Sequence, residues 1–97
     1  MDIKISAVGF DLDQDQHDLI EKKLERVTYA DDLIVNLAFK VTEDKKFKFE
    51  ALVNFRWGVQ AHVSEENYEF SLGLNKLVDV LDMKIKKEKA KIQKKGK

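Results

Sequence analysis

The chain has 97 residues, of which 43% are apolar and 37% are charged. This length is that of a single domain, and the apolar fraction is sufficient for one hydrophobic core. The composition therefore argues against a largely disordered chain. Basic and acidic residues number 18 each, which argues against a uniformly basic nucleic-acid binder, and the lack of Cys excludes disulfide scaffolds, thiol catalysis and cysteine metal sites. No apolar run approaches the roughly 20 residues of a membrane span. The N-terminus lacks the basic stretch followed by an apolar stretch that is typical of a signal peptide. We therefore expect a cytoplasmic protein without a membrane partner.

The first two predicted elements are a strand and a helix. Residues Asp2–Val8 alternate between apolar and polar side chains, which predicts a strand. Gly9 permits a turn, and Asp13 is placed to cap a helix, with Gln16 in the capping-box position. Apolar residues at helical spacing then predict a helix over residues 14–28.

Three further strands are predicted from alternating patterns. Over Leu33–Val41 the odd-numbered residues, Val35 among them, are apolar and are expected to face the core. A polar connector fits a hairpin into a second strand, Phe47–Phe55, and a turn leads to a short strand around residues 59–64. Because each strand has one polar face, with His62 on that of the last, the pattern favours an antiparallel arrangement.

A long amphipathic helix closes the chain, from about residue 67 to residue 92. Its apolar residues recur every three or four positions from Phe70 to Ile85, which is the helical repeat. Beyond Ile85 the apolar stripe thins and Lys dominates. At about 1.5 Å per residue, the last turns are expected to project beyond a small sheet.

The order β-α-β-β-β-α favours an α+β fold. A four-stranded sheet with both helices packed on one face buries every apolar stripe. The first helix joins the first two strands, which favours a right-handed crossover and parallel pairing. We therefore predict a single domain over residues 1–93 and a flexible Lys-rich tail over residues 94–97.

The neutral net charge conceals an uneven distribution. Residues 1–83 carry 10 basic and 17 acidic side chains, whereas residues 84–97 carry eight Lys against one acid, Glu88. A basic end on an acidic body attracts polyanions even when the whole molecule is neutral. Lys near the C-terminal end of a solvated helix produces the same pattern without any ligand.

The sequence contains no catalytic or metal-binding constellation of useful specificity. It has no Gly-rich phosphate loop, no nucleophile elbow and no pair of His at helical spacing. His17 and His62 are expected at the surface, and the acids from Asp11 to Asp18 are explained by helix capping and the helix dipole. Trp57 is interpreted as a lid on the core in preference to an exposed stacking platform. We predict a protein that is not an enzyme and that uses no cofactor, metal or small-molecule substrate.

Order, spacing and charge together resemble a known family. The resemblance is carried by the opening MDIKISAVGFDLD, the stretch IEKKLERV and the helix LNKLVDVLDMKIKKEKAKIQKK. Over nearly its whole length the chain resembles the ribosome hibernation promoting factors, also called ribosome-associated inhibitors or sigma modulation proteins. The resemblance implies binding to ribosomal RNA of the small subunit, in the channel for messenger and transfer RNA, and inhibition of translation under stress. The second, dimerising domain of long family members is not in the sequence, so we expect a short form or an isolated N-terminal domain.

The resemblance also implies which basic residues contact ribosomal RNA phosphates. Its direct matches are Lys23 and Arg26 on the first helix and Lys87 and Lys89 on the last. With the neighbouring lysines, the implied site is Lys22, Lys23, Arg26, Lys84, Lys86, Lys87, Lys89 and Lys91. Replacing the four direct matches by Glu is expected to abolish subunit binding without unfolding, because all four are expected to be exposed.

The chain departs from the family pattern at four positions. Where the family often has Arg, this chain has His17. Basic residues of the family's last helix are replaced by Val80 and Met83, and the Tyr that opens that helix is replaced by Ser71. The departures at His17, Val80 and Met83 remove positive charge from the implied site.

Two other functions fit the same residues. A double-stranded or structured RNA-binding domain would bind free duplex RNA about as well as ribosomes. A regulatory protein-interaction module without RNA binding would use its Lys-rich end only for solubility, and removal of residues 86–97 would leave partner binding intact.

Overall fold

A computed structural model describes the backbone of residues 1–95 and the side chains of residues 1–92. The elements are strand β1 (Asp2–Val8), helix α1 (Gln14–Leu24), a 3-10 segment (Glu25–Leu33), strands β2 (Ile34–Glu43), β3 (Phe47–Phe55) and β4 (Gln60–Asn67), and helix α2 (Phe70–Lys95). The predicted α+β fold with the order β-α-β-β-β-α is confirmed. The flexible tail predicted for residues 94–97 lies beyond the described side chains and stays a prediction.

The four strands form one mixed sheet in the order β1-β2-β3-β4. Strands β1 and β2 are parallel, as the helical crossover between them predicted, and the other two pairs are antiparallel. One face of the sheet is buried beneath the helices, and Phe39, Ala51 and Val53 lie on it. The opposite face carries exposed polar side chains, Lys40 and His62 among them.

The core lies between this sheet and the two helices. Phe49 packs edge to face against Phe70 of α2, with ring centroids 5.3 Å apart. Gly73 is required at this contact, because a Cβ atom there would collide with the Phe49 ring. Trp57 is half-buried and stacks on Phe55 at 4.9 Å, which agrees with its interpretation as a lid on the core. No helix in the described part of the chain is long and apolar enough to cross a membrane.

Strand β2 departs from the alternation that its sequence predicts. Ile34 pairs with Phe55 and Asn36 pairs with Asn54, so Val35 is an extra residue in a β-bulge. The bulge turns Val35 towards solvent and places Ile34 in the core. The expectation that Val35 faces the core is therefore wrong, whereas alternation is regular from Leu37 onward.

The first helix is shorter than predicted. Regular α-helix ends at Leu24, and the chain continues as a 3-10 segment that is kinked at Ala30. Leu24, Val27 and Ala30 are buried at intervals of three residues, which matches the three-residue turn of a 3-10 helix. The prediction of a single α-helix to residue 28 is therefore wrong beyond residue 24, where the chain is a 3-10 helix.

Truncation of the α2 core face should be costly. Leu77 and Leu81 are each 0% exposed, so either residue changed to Ala should lower the free energy of unfolding by about 2–5 kcal/mol. Urea denaturation measures the loss. Leu72→Ala, at a position that is 50% exposed on the same helix, is the matched control and should change stability little. Equal losses at Leu72 and Leu77 would contradict this packing.

Candidate nucleic-acid interface

The start of α1 is fixed by the predicted capping box. The Asp13 carboxylate accepts a hydrogen bond from the Gln16 backbone N–H at 2.8 Å, and the Gln16 side chain accepts one from the Asp13 N–H at 3.1 Å. These two bonds satisfy N–H groups that a helix start leaves unpaired. They anchor the helix that carries Lys22 and Lys23 in its last turn.

The two helical elements meet at a buried carboxylate on α2. Asp82 is 6% exposed and accepts a hydrogen bond from the Tyr29 hydroxyl at 2.6 Å. Its other oxygen lies 3.1 Å from the Lys86 ammonium and 3.6 Å from the Arg26 guanidinium. One carboxylate therefore joins the 3-10 segment to α2 and holds two of the predicted site residues side by side.

Arg26 has a second acidic partner. Its guanidinium donates a hydrogen bond to Asp79, one turn before Asp82 on α2. That bond, with the charges of both acids, raises the pKa of Arg26 above its usual value. The Lys89 ammonium lies over the Tyr29 ring, 5.9 Å from its centroid. The structure thus brings Arg26, Lys86 and Lys89 together.

The pKa values of Tyr29 and Asp82, which are hydrogen-bonded to each other, move in opposite directions. Burial alone would raise the pKa of the Asp82 carboxyl, but the hydrogen bonds from Tyr29 and Lys86 outweigh it and hold that pKa below its usual value. Burial and the hydrogen bond to Asp82 together raise the pKa of the Tyr29 hydroxyl well above its usual value. At neutral pH the phenol is the proton donor and the carboxylate is charged.

A second carboxylate gathers basic residues farther along α2. Glu88 is buried, and its Oε1 atom lies 3.6 Å from the Lys84 ammonium and 3.4 Å from that of Lys91. Both pairs have the spacing of neighbours on a helix surface. The buried acid neutralises part of the charge that the sequence places at this end.

The remaining three predicted site residues, Lys22, Lys23 and Lys87, make no ion pair within residues 1–92. Lys22 and Lys87 are exposed, whereas Lys23 is half-buried, as is Lys89. The expectation that all four direct matches are exposed is therefore wrong at Lys23 and Lys89. Arg26 is exposed but is held by its two acids.

The four departures from the family pattern occupy different environments. His17 is half-buried and its Nδ1 atom lies 2.7 Å from Glu21. Met83 and Ser71 are exposed, and Val80 is half-buried. Of the two positions on α2 where the family has a basic residue, Met83 therefore presents an apolar side chain to solvent.

One group of side chains has the spacing of metal ligands. His17, Asp18 and Glu21 bring ligand atoms within 4.8 Å of one another on α1. Asp18 accepts a hydrogen bond from Gln14 at 2.8 Å, and both acids are exposed. Neighbouring residues on a solvated helix face account for this arrangement without an ion.

Sequence reasoning missed the acids and the phenol that organise the basic residues, which are Tyr29, Asp79, Asp82 and Glu88. The pairs within α2 have helical spacing and are readable from the sequence. The contacts of Arg26 and Tyr29 with α2 span 53 positions of the chain and carry no local signal.

The chain matches known proteins over most of its length. The family model described as sigma 54 modulation protein / S30EA ribosomal protein matches residues 3–93. A ribosomal subunit interface protein from Coxiella burnetii has a similar structure, with a TM-score of 0.84 and 26% identity over 93% of this chain and 99% of that one. The Protein Y N-terminal domain from Thermus thermophilus shares the fold, with a TM-score of 0.77 and 24% identity over 90% and 98% of the two chains. No curated protein sequence matches.

The Tyr29–Asp82 hydrogen bond should contribute measurably to stability. Tyr29→Phe removes the donor to a charged, buried acceptor and should lower the free energy of unfolding by about 1–2 kcal/mol, because Tyr29 itself is only partly buried. Urea denaturation at neutral pH measures the change. Tyr68→Phe, which alters a largely exposed phenol, is the control and should have little effect. Equal stability of the two variants would contradict the contact.

The same bond should appear in an alkaline titration. In a Tyr68→Phe background Tyr29 is the only phenol, and its phenolate absorbance should appear only well above the usual pKa of about 10. The pKa is raised in the folded state, so the stabilisation is present below about pH 10 and is lost as pH rises through the folded value. The same titration in denaturant is the control and should give the usual pKa. Identical folded and denatured titrations would refute the bond.

Proposed function

Because the chain belongs to the sigma 54 modulation / S30EA ribosomal protein family, we propose that it associates with the ribosome. It binds ribosomal RNA of the small subunit in the channel otherwise used by messenger and transfer RNA, and its presence there inhibits translation under stress. The similar protein from Coxiella burnetii is described as a ribosomal subunit interface protein, which supports association with the ribosome. The proposed role is that of a binding factor and not of an enzyme.

The observation that carries the proposal is that basic side chains of the 3-10 segment and of α2 meet at one carboxylate, Asp82. We call the eight predicted site residues together the two-helix surface: Lys22 and Lys23 on α1, Arg26 on the 3-10 segment that continues it, and Lys84, Lys86, Lys87, Lys89 and Lys91 on α2. Arg26 lies beside Lys86 through their shared contact with Asp82, so positive charge continues from one element to the other. Cations on rigid helices can meet phosphates along a folded RNA without reading its bases.

Packing keeps these cations in place. Leu81 and Ile85 are fully buried and alternate with the basic residues along α2, so the helix presents its lysines from a fixed backbone. Binding to RNA phosphates is then driven by counterion release and weakens as salt rises. With about four phosphates neutralised, the logarithm of the binding constant should fall with the logarithm of salt with a slope of about −3.

The test is co-sedimentation of the protein with purified small subunits across a salt series, with free duplex RNA as competitor. Saturable binding that weakens with salt and survives excess duplex RNA supports the proposal. If excess duplex RNA displaces the protein from the subunits, a general structured-RNA binder is favoured. No binding at low salt leaves the protein-interaction module as the function to pursue.

Charge reversal identifies the binding face. Lys22→Glu with Lys87→Glu alters one exposed cation on each element and should weaken subunit binding about 10- to 100-fold at low salt. Neither residue has an ion-pair partner within the described side chains, so the fold should be unaffected. Co-sedimentation measures the affinity, and cell-free translation should be inhibited by the original protein but not by this variant.

The matched control makes the same change in net charge elsewhere. Lys4→Glu with Lys45→Glu alters two exposed cations, one on the polar face of the sheet and one in the β2–β3 hairpin. This control should bind subunits nearly as well as the original protein. If both double variants lose affinity equally, net charge and not the two-helix surface governs binding.

A further inference from the structure

Among the described side chains, Arg26 is the one member of the two-helix surface that is held by acids on a different element. Its guanidinium donates to Asp79 and also lies 3.6 Å from Asp82. The side chains of Arg26 and Asp79 are 52% and 57% exposed, so the pair faces solvent at the position where RNA is proposed to bind. A phosphate that reaches Arg26 must therefore meet Asp79 as well.

The two acids differ in how firmly they are held. Asp82 is buried and is also bound by Tyr29 and Lys86. Its carboxylate cannot turn away from these partners without becoming an uncompensated charge in the interior. Asp79, in contrast, has Arg26 as its one ion-pair partner among the described residues. Because it is exposed, its carboxylate can rotate into water and be hydrated at little cost.

We propose that Asp79 is an internal competitor of RNA phosphate for the Arg26 guanidinium. Binding exchanges the Asp79 carboxylate for a phosphate oxygen while Asp82 keeps the Arg26 side chain in position. The exchange makes the affinity for RNA lower than the basic residues alone would give. This inference rests on the proposed function and names a residue that sets the strength of that same site.

The chemistry of the exchange follows from the groups involved. A guanidinium presents donors in a planar fork that fits either a carboxylate or a phosphate, so one ligand can replace the other at the same atoms. A carboxylate that stays beside a bound phosphate adds like-charge repulsion. Removing the charge at Asp79 should therefore have two effects: Arg26 becomes free to bind phosphate, and the repulsion between Asp79 and the phosphate is removed.

A double-mutant cycle tests the exchange. Asp79→Asn should raise the affinity for purified small subunits about three- to tenfold at moderate salt, and should steepen the salt dependence by about 0.7–0.9 in slope, equivalent to one further phosphate contact. Arg26→Gln should bind more weakly than the original protein. In the Arg26→Gln background, Asp79→Asn should raise affinity much less than it does in the original protein, because only the repulsion between Asp79 and the phosphates remains to be removed.

A charge-matched control separates the local contact from net charge. Asp44→Asn makes the same change in the β2–β3 hairpin, at an exposed acid with no ion pair in the described part of the chain. Its effect on affinity should be much smaller than that of Asp79→Asn. Co-sedimentation across the same salt series measures all five proteins, and thermal unfolding verifies that each is folded.

The outcomes are distinct. If the original protein binds subunits but Asp79→Asn gives no gain in affinity, the competitor role alone is overturned. The same holds if the gain is equally large in the Arg26→Gln background. A loss of affinity in Asp79→Asn would show that the acid positions Arg26 for RNA, and also overturns it. No subunit binding by any of the five proteins overturns the proposed function together with this inference.

Discussion

A buried carboxylate must find donors inside the protein, and at Asp82 this requirement joins the two helical elements. Moving such a charge out of water costs several kcal/mol unless hydrogen bonds and opposite charges compensate. Tyr29 and Arg26 supply that compensation from the 3-10 segment, and Lys86 supplies it from α2. The apolar core brings the elements into contact, and Asp82 then fixes their relative position to within hydrogen-bond distance. The arrangement of the basic side chains follows from that position.

The number of basic residues at a surface overstates the charge that is free to act. Arg26, Lys84, Lys86 and Lys91 are cations by composition, yet each already lies close to a carboxylate in the folded chain. For a ligand held by counterion release, such pairs lower the gain per contact because the protein supplies its own anions.

Most of the fold was predictable from the sequence, because hydrophobic periodicity reports burial directly. Regular alternation over Phe47–Phe55 is typical only of a strand, and apolar residues three or four positions apart around Leu77 are typical only of a helix. The errors fell at Val35, where one extra residue shifts the alternation, and beyond Leu24, where an interval of three residues replaces the α-helical repeat. At the site, sequence located the cations but not their partners, since the link from Tyr29 to Asp82 exists only in the folded chain.

The close approach of Gly73 to Phe49 acts at a distance from the lysines of α2. A Cβ atom at residue 73 would meet the Phe49 ring, so any larger residue must lift the first turns of the helix or displace the ring. Leu77, Leu81 and Ile85 pack the rest of the same helix into the core, so a displaced first turn would strain the contacts that follow it. At 1.5 Å per residue, Lys91 lies about 27 Å from Gly73, and its position therefore depends on a missing methyl group near the other end of the helix.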